Sequence, residues 1–204
     1  MIKNVIFDLG NVVTAFDPFS YFIHDFHDID KTKEICHVVF GGDIWNRYDQ
    51  GLYTKQELRD ALVKQYPSWE IEIETILSKW VGLLKTMPKT VELMEALRAK
   101  HYHIYIMSNL SEESHRHLIK HDTFLAITDG GVFSYAEKIN KPDPRLYHIL
   151  LDRYQLKAHE CVFIDDRKEN IETAHHLGMY GIVYQNHEQM MKELTNCIEE
   201  ASHA

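Results

Sequence analysis

The chain has 204 residues, the size of one domain or of one domain that carries a modest insertion. Its 22 basic and 31 acidic residues give a formal net charge of −9, which argues against a broad nucleic-acid surface because such a surface needs clustered positive charge. An apolar content of 45% with 26% charged residues is typical of a globular protein and excludes a disordered one, and no apolar run is long enough to span a membrane.

Five short apolar runs are predicted to be β-strands. None of them alternates apolar with polar residues, and continuous runs of this length are typical of strands that are buried on both faces of a parallel sheet. A buried helix would need about 10 or more residues, so the length of the runs also favours strands. In chain order the runs lie at 5–7, 104–107, 125–127, 161–164 and 181–184.

Helical patterns lie between the later runs. Residues 88–100 are predicted to form a helix, because Pro88 is well placed in a first helical turn. Residues 167–177 form another, which Gly178 can end in a left-handed turn. Other helices are predicted to begin after Ser111, after Asp143 and near Asn186.

The interval between the first two runs is much longer than the others. A single helix at 88–100 is enough to connect them, so residues 14–86 are predicted to be an insertion, rich in helix formers and aromatics and without a clear strand. Alternating strands and helices predict an α/β fold: a doubly wound, Rossmann-like, mostly parallel sheet with a helical cap inserted after strand one. The core would comprise residues 1–13 and 87–204, and the cap residues 14–86.

Polar side chains follow three of the predicted strands, at the edge of the sheet where parallel sheets bind ligands. They are Asp8 and Asn11, on either side of Gly10, then Ser108 and Asn109, then Asp165 and Asp166. Carboxylates that meet there would repel one another, at about 4 kcal/mol for two charges about 4 Å apart in an effective dielectric near 20. A divalent cation removes that repulsion, and carboxylate oxygens with water suit Mg²⁺. Lys141, just before a predicted helix, could add positive charge for a bound anion.

Four ordered motifs of this chain resemble those of the haloacid dehalogenase superfamily, most of whose members are Mg²⁺-dependent phosphatases. The motifs are Asp8-Leu9-Gly10-Asn11-Val12, Ser108-Asn109, Lys141-Pro142-Asp143-Pro144 and Phe163-Ile164-Asp165-Asp166. The insertion after the first motif resembles the helical cap of the subgroup that contains bacterial sugar-phosphate phosphatases. The sequence of the first motif is most similar to that of the α-D-glucose-1-phosphate phosphatase branch of that subgroup.

The resemblance implies a role for each matching position. Asp8 would be the nucleophile and would form an aspartyl phosphate, which water then hydrolyses. Mg²⁺ would be held by Asp8, the backbone carbonyl of Gly10 and Asp166, with Asp165 supporting the metal site directly or through water. The groups implied to bind the phosphoryl oxygens are Asn11, Ser108, Asn109 and Lys141, of which Lys141 would also be catalytic.

Gly10 departs from the family pattern. Most phosphatases of the family have an aspartate there, which protonates the leaving oxygen and then activates water. Asp17, shortly after the first motif, is a candidate replacement, but it also has the position of a helix cap before Pro18, and the cap reading is favoured.

The cap has a candidate substrate contact of its own. Trp45, Arg47, Tyr48 and Asp49 precede a predicted turn at Gly51, and such aromatic and charged groups could close over a sugar. The competing interpretation, cap core plus surface charge, has at least equal weight.

The predicted function is that of a Mg²⁺-dependent phosphatase for a small phosphorylated metabolite, with a sugar phosphate favoured. A haloacid dehalogenase ranks lower, because dehalogenation needs no Mg²⁺ while Asp165 and Asp166 crowd carboxylates into the site. A non-catalytic ligand-binding or regulatory protein on the same fold stays open, and Gly10 is its best support. We expect a monomer that binds neither nucleic acid nor a membrane. Its three widely spaced cysteines predict no disulfide and a reducing cytoplasm.

Overall fold

The computed structural model describes residues 1–203, in which seven β-strands and eleven α-helices can be assigned. The strands are β1 (Asn4–Phe7), β2 (Thr14–Ala15), β3 (Lys85–Thr86), β4 (His103–Ser108), β5 (Gly130–Phe133), β6 (Cys161–Asp165) and β7 (Tyr180–Val183). The helices are α1 (Pro18–Phe26), α2 (Ile29–Phe40), α3 (Asp43–Asp49), α4 (Lys55–Gln65), α5 (Glu70–Lys79), α6 (Pro88–Ala99), α7 (Glu112–His121), α8 (Ser134–Glu137), α9 (Pro144–Arg153), α10 (Lys168–His176) and α11 (His187–His203).

The main sheet has five parallel strands in the order β5-β4-β1-β6-β7, so the predicted doubly wound α/β fold is confirmed. From the central β1 the chain first adds β4 and β5 on one side and then crosses back to add β6 and β7 on the other. The strand order therefore reverses next to β1. Ligands of open parallel sheets bind at the carboxyl ends of the strands at such a reversal.

Strand β1 shows why the apolar runs are continuous. Val5 and Phe7 pack into one buried cluster and Ile6 packs into the other, on the opposite face of the sheet. All three side chains are fully buried. A strand covered by helices on both faces has no side that would select polar residues.

The third predicted strand is wrong. Residues 124–127 form a 3-10 helix, and the edge strand is β5, a few residues further along. Strand β5 begins with Gly130 and Gly131, so it lacks an apolar run. Close neighbours account for both glycines, since a Cβ atom on Gly130 would lie 2.3 Å from the Tyr154 hydroxyl and one on Gly131 would lie 3.0 Å from the backbone oxygen of Ile106.

The inserted segment is helical, with α1 to α5 in sequence, but it is not free of strands as expected. Its two ends pair as an antiparallel ribbon, in which Thr14 lies opposite Thr86 and Ala15 opposite Lys85. Strands of two residues are too short to show an alternating pattern, which is why the sequence did not reveal them. The division into a core of residues 1–13 and 87–204 and a cap of residues 14–86 stays a prediction.

Aromatic side chains fill the interior of the inserted segment beside the main sheet. Phe40 and Trp45 contact edge to face with ring centroids 4.6 Å apart, and Trp45 meets Trp80 in the same way at 4.9 Å. Edge-to-face contacts of this kind stabilise a fixed arrangement of rings.

None of the helices in residues 1–203 combines the length and the apolar composition that crossing a bilayer requires.

Candidate active site

Three strands bring the predicted site residues to one edge of the sheet. Asp8 follows β1 directly, while Ser108 and Asp165 are the last residues of β4 and β6, which flank β1 on either side. The Ser108 hydroxyl lies beside the Asp8 carboxylate. The convergence expected from the sequence is therefore present, and it follows directly from the parallel register.

Lys141 is buried between two of these carboxylates. Its Nζ lies 2.7 Å from Asp8 Oδ1 and 2.6 Å from Asp165 Oδ2, and it also donates to the backbone carbonyl of Met107 at 2.9 Å. All three hydrogen bonds of the ammonium group are made inside the protein. Lys141 is thus part of the site and is not a solvated surface lysine.

The Asn109 side chain holds the Lys141 backbone in place. Its amide nitrogen donates to the Lys141 carbonyl at 3.1 Å, and its Oδ1 accepts from the Lys141 amide at 2.7 Å. Because both ends of this side chain are occupied, its observed role is to position Lys141. Phosphate binding by Asn109 stays a prediction.

The two adjacent aspartates have different surroundings. Asp165 is fully buried, and its two oxygens accept hydrogen bonds from Lys141, from the Arg167 backbone amide and from the Asn170 side chain. Asp166 is partly buried and faces the cavity, where the side-chain amide of Asn11 donates to its Oδ2 at 3.0 Å. Asp166 is consequently the more accessible ligand for a cation.

The charges of the site do not cancel. Three carboxylates and one ammonium group sum to −2 when all four are ionised. Burial raises the pKa of Asp8 to about 6 against the attraction of Lys141, and burial also raises the pKa of Asp166. Although burial lowers the pKa of Lys141, Asp8 and Asp165 outweigh that effect and raise it, so the ammonium stays charged.

This donor set fits a divalent cation. One carboxylate oxygen from each of Asp8, Asp165 and Asp166 lies within 4.8 Å of the others. Oxygen donors with an unbalanced charge of −2 are what Mg²⁺ binds. The backbone carbonyl of Gly10 lies at the same cavity and could join them.

Above these residues lies a cavity of about 220 Å³. Its floor is formed by Asp8, Ser108, Lys141 and other polar groups of the strand ends. Its roof comes from the inserted segment and is formed by Phe16, Phe40, Trp45, Asn46, Asp49 and Trp80. Trp45 therefore has the location predicted for a substrate contact.

Two of the predicted substrate contacts lie elsewhere. Asp17 caps helix α1 by accepting a hydrogen bond from the Ser20 amide, which also lowers its pKa, so it is not a replacement acid. Arg47 is exposed, with its guanidinium 5.9 Å from the centre of the Tyr53 ring. Neither residue lines the cavity. Arg47 does not, because it projects from a different side of α3 than Trp45, which does line the cavity.

Two residues of the site have surroundings that the sequence analysis did not anticipate. Asn170 is buried and donates to both oxygens of Asp165, but an asparagine inside a predicted helix gives no signal of this. Asp49 was noted only as one of several polar groups before a turn. The structure places it in the roof of the cavity, where burial raises its pKa to about 8.

Residues 2–178 match the family of haloacid dehalogenase-like hydrolases. The chain is 23% identical to a sesquiterpene phosphatase of Aspergillus oryzae over 97% of its own length and 94% of the relative's. It is 24% identical to a D-ribitol-5-phosphate phosphatase of Bacteroides thetaiotaomicron, covering 96% of this chain and 98% of that protein. A haloacid dehalogenase family enzyme of the same bacterium, crystallised with magnesium and inorganic phosphate, has a similar fold with a TM-score of 0.72. That structure is 23% identical in sequence and covers 91% of this chain and 95% of its own.

Removing the Lys141 charge should destabilise the protein strongly. In Lys141→Met, Asp8 and Asp165 would face each other without their shared partner, and breaking a buried pair of this kind typically costs about 3–5 kcal/mol. The free energy of unfolding in urea measures this loss. Lys168→Met, which alters a lysine side chain that is 79% exposed, is the matched control and should change stability by about 0.5 kcal/mol or less. Similar values for both variants would contradict the structural role of Lys141.

Proposed function

The chain belongs to the haloacid dehalogenase-like hydrolases, and we propose that it is a Mg²⁺-dependent phosphatase of a small phosphorylated metabolite, with Asp8 as its nucleophile. The observation that carries this proposal is the Asp8 carboxylate at the floor of the cavity, held by the buried Lys141 ammonium within a group of residues of net charge −2. A phosphate ester is an anion, so it could approach Asp8 only if that negative charge were balanced.

The metal is proposed to be held by Asp8, Asp166 and the backbone carbonyl of Gly10. Bound Mg²⁺ supplies positive charge that balances the carboxylates and the phosphoryl oxygens. Asp165 has its oxygens occupied by Lys141, Asn170 and a backbone amide, so we assign it mainly to holding Lys141 in place. Direct binding of the metal by Asp165 stays the alternative.

The proposed reaction has two steps. A carboxylate oxygen of Asp8 forms a bond to phosphorus while the bond from phosphorus to the leaving oxygen breaks, which gives an aspartyl phosphate. Water then attacks phosphorus and releases Asp8 and inorganic phosphate. We propose that Lys141 and Ser108, which both lie beside Asp8, bind the phosphoryl oxygens, together with Asn11 beside Asp166.

The cavity supports a small, polar substrate. Its volume of about 220 Å³ lies below the range of roughly 300–1,000 Å³ that is typical of drug-sized ligands. The Trp45 and Trp80 rings offer flat apolar faces, and Asn46 and Asp49 add hydrogen-bonding groups beside them. A sugar or sugar alcohol has both apolar C–H faces and hydroxyl groups, so we propose a sugar phosphate as the substrate.

Replacing the nucleophile should abolish turnover. Asp8→Asn keeps the shape of the side chain but is a poor nucleophile, and we expect p-nitrophenyl phosphate hydrolysis to fall by on the order of 10³-fold or more. Asp152→Asn changes an exposed carboxylate and should keep wild-type activity. An Asp8→Asn protein with substantial phosphatase activity would contradict the proposal. A wild-type protein without any activity would favour a non-catalytic role.

Activity should depend on the metal. Excess chelator should remove phosphatase activity, and added Mg²⁺ should restore it. Calorimetric titration should show Mg²⁺ binding that is weakened by on the order of 10- to 100-fold or more in Asp166→Asn, since one proposed ligand is lost. Turnover of 2-chloropropionate in excess chelator would instead indicate a dehalogenase.

The substrate class can be tested with a panel of phosphate esters. We expect kcat/KM for sugar and sugar-alcohol phosphates to exceed that for a prenyl phosphate by on the order of tenfold or more, because a long hydrocarbon chain does not fit the cavity. Mononucleotides should also be poor substrates on grounds of size. A preference for the prenyl phosphate would refute the sugar-phosphate assignment while leaving the phosphatase proposal intact.

A further inference from the structure

The proposed reaction requires a proton donor that the strand-end motifs do not provide. An alkyl phosphate releases an alkoxide unless its leaving oxygen is protonated as the bond to phosphorus breaks. Position 10, next to the nucleophile, is a glycine without any side chain. Among the cavity-lining residues the carboxyl groups are those of Asp8, Asp49 and Asp166. Asp8 is the nucleophile and Asp166 a proposed metal ligand, which leaves Asp49.

We infer that Asp49, at the end of helix α3 in the cavity roof, is the general acid that protonates the leaving group and the general base that activates water in the second step. This inference rests on the proposed phosphatase function. The other candidates are engaged elsewhere: Asp17 caps α1, and the Tyr48 hydroxyl donates to Glu113 at 2.7 Å.

The carboxyl group of Asp49 is held in a fixed place. It lies beside the side chain of Trp45, one turn earlier in α3, and beside the backbone amide of Ser111, in the loop after β4. Its backbone carbonyl accepts from Ser134 Oγ at 2.6 Å, and that oxygen accepts in turn from the Leu110 amide at 2.9 Å. Asp49 is therefore connected to the loop that follows Ser108 and begins with Asn109, at the floor of the cavity.

The surroundings of Asp49 favour its protonated form. Burial raises the pKa of Asp49 to about 8, although the hydrogen bonds from Trp45 and Ser111 act in the opposite direction. At pH 7 most of this carboxyl group then carries a proton. A protonated carboxyl group can accept both N–H bonds and still donate its own O–H into the cavity. Burial has the same effect on carboxylic acids that act as donors in other enzymes.

The proton balance closes over the two steps. In the first, the Asp49 O–H proton passes to the leaving oxygen, which departs as an alcohol, and Asp8 takes up the phosphoryl group. In the second, the Asp49 carboxylate takes a proton from the attacking water as the bond between water oxygen and phosphorus forms. Asp8 leaves as a carboxylate, and Asp49 is again protonated.

The test compares Asp49→Asn with wild type on two kinds of probe, an aryl phosphate and an alkyl phosphate, which have different leaving groups. p-Nitrophenyl phosphate releases a stabilised phenolate that needs no proton, whereas glycerol 2-phosphate and D-ribitol 5-phosphate need one. On whichever alkyl phosphate the wild type hydrolyses faster, we expect kcat to fall by on the order of 10²- to 10⁴-fold. The first-turnover release of nitrophenolate, which reports the first step alone, should fall far less.

Two further variants separate this role from a structural one. Asp43→Asn, on the exposed side of the same helix, should match wild type on both probes. Asp49→Glu restores an acid and should recover part of the alkyl phosphate activity lost in Asp49→Asn. The same thermal unfolding temperature in all four proteins would show that folding is intact.

Other results would overturn the inference. Equal losses of alkyl phosphate turnover and of first-turnover nitrophenolate release would show a general structural role, and a change confined to KM would show that Asp49 only binds a substrate hydroxyl. Unchanged alkyl phosphate turnover in Asp49→Asn would refute it outright. A wild-type protein that is inactive on every probe would overturn the proposed function and this inference together, whereas an active wild type without the selective loss overturns the inference alone.

Discussion

The buried ammonium group of Lys141 is the contact on which the site depends. It links Asp8 after β1 to Asp165 at the end of β6, and it donates its third hydrogen bond to the β4 carbonyl of Met107. A charge removed from water is tolerated only when it is paired and fully hydrogen-bonded. Three neighbouring parallel strands supply these partners at the same edge of the sheet. The chemistry of the site therefore depends on the order of the strands.

The same burial also determines what the site can bind. With one ammonium among three carboxylates, the ionised site has a charge of −2, and the raised pKa of Asp8 reflects chiefly its removal from water. Neither a phosphate ester nor any other anion is stable beside that charge alone. A divalent cation resolves the conflict without removing a carboxylate, and it leaves the three hydrogen bonds of Lys141 intact.

Helix α3 is fastened to the sheet edge by polar contacts around the cavity. The Asn140 side chain donates to the Asn46 carbonyl at 2.9 Å, and the Lys138 ammonium donates to the Gly51 carbonyl at 2.6 Å. Together with the hydrogen bond that Ser134 donates to the Asp49 carbonyl, these contacts hold the roof of the cavity over its floor. A covered cavity has a low effective dielectric, which strengthens the pairing of Lys141 and withholds solvation from Asp49.

Local sequence signals predicted the strands and the floor of the site, because apolar runs and strand-end polar residues are local features. Strand β5 was missed because its two glycines reflect neighbours that are distant in the sequence, Tyr154 beside Gly130 and Ile106 beside Gly131. Asp17 was correctly weighed as a cap, since Pro18 next to it is a local signal. Asp49 differs from the exposed acids of the chain through its packing against Trp45 and Ser111, and no sequence pattern near residue 49 indicates this packing.

The glycine at position 10 and the acid at position 49 are best understood together. An aspartate at position 10 would add a fourth carboxylate beside Asp8, at about 4 kcal/mol of repulsion for charges about 4 Å apart in an effective dielectric near 20. The protonation state of an acid at position 10 would therefore depend on these neighbouring charges. Asp49 is kept protonated by burial, and no neighbouring charge contributes to its raised pKa. An acid in the roof can therefore be tuned separately from the metal-binding carboxylates of the floor. The position of Asp49 at the end of α3 then links proton transfer to the placement of that helix over the floor of the cavity.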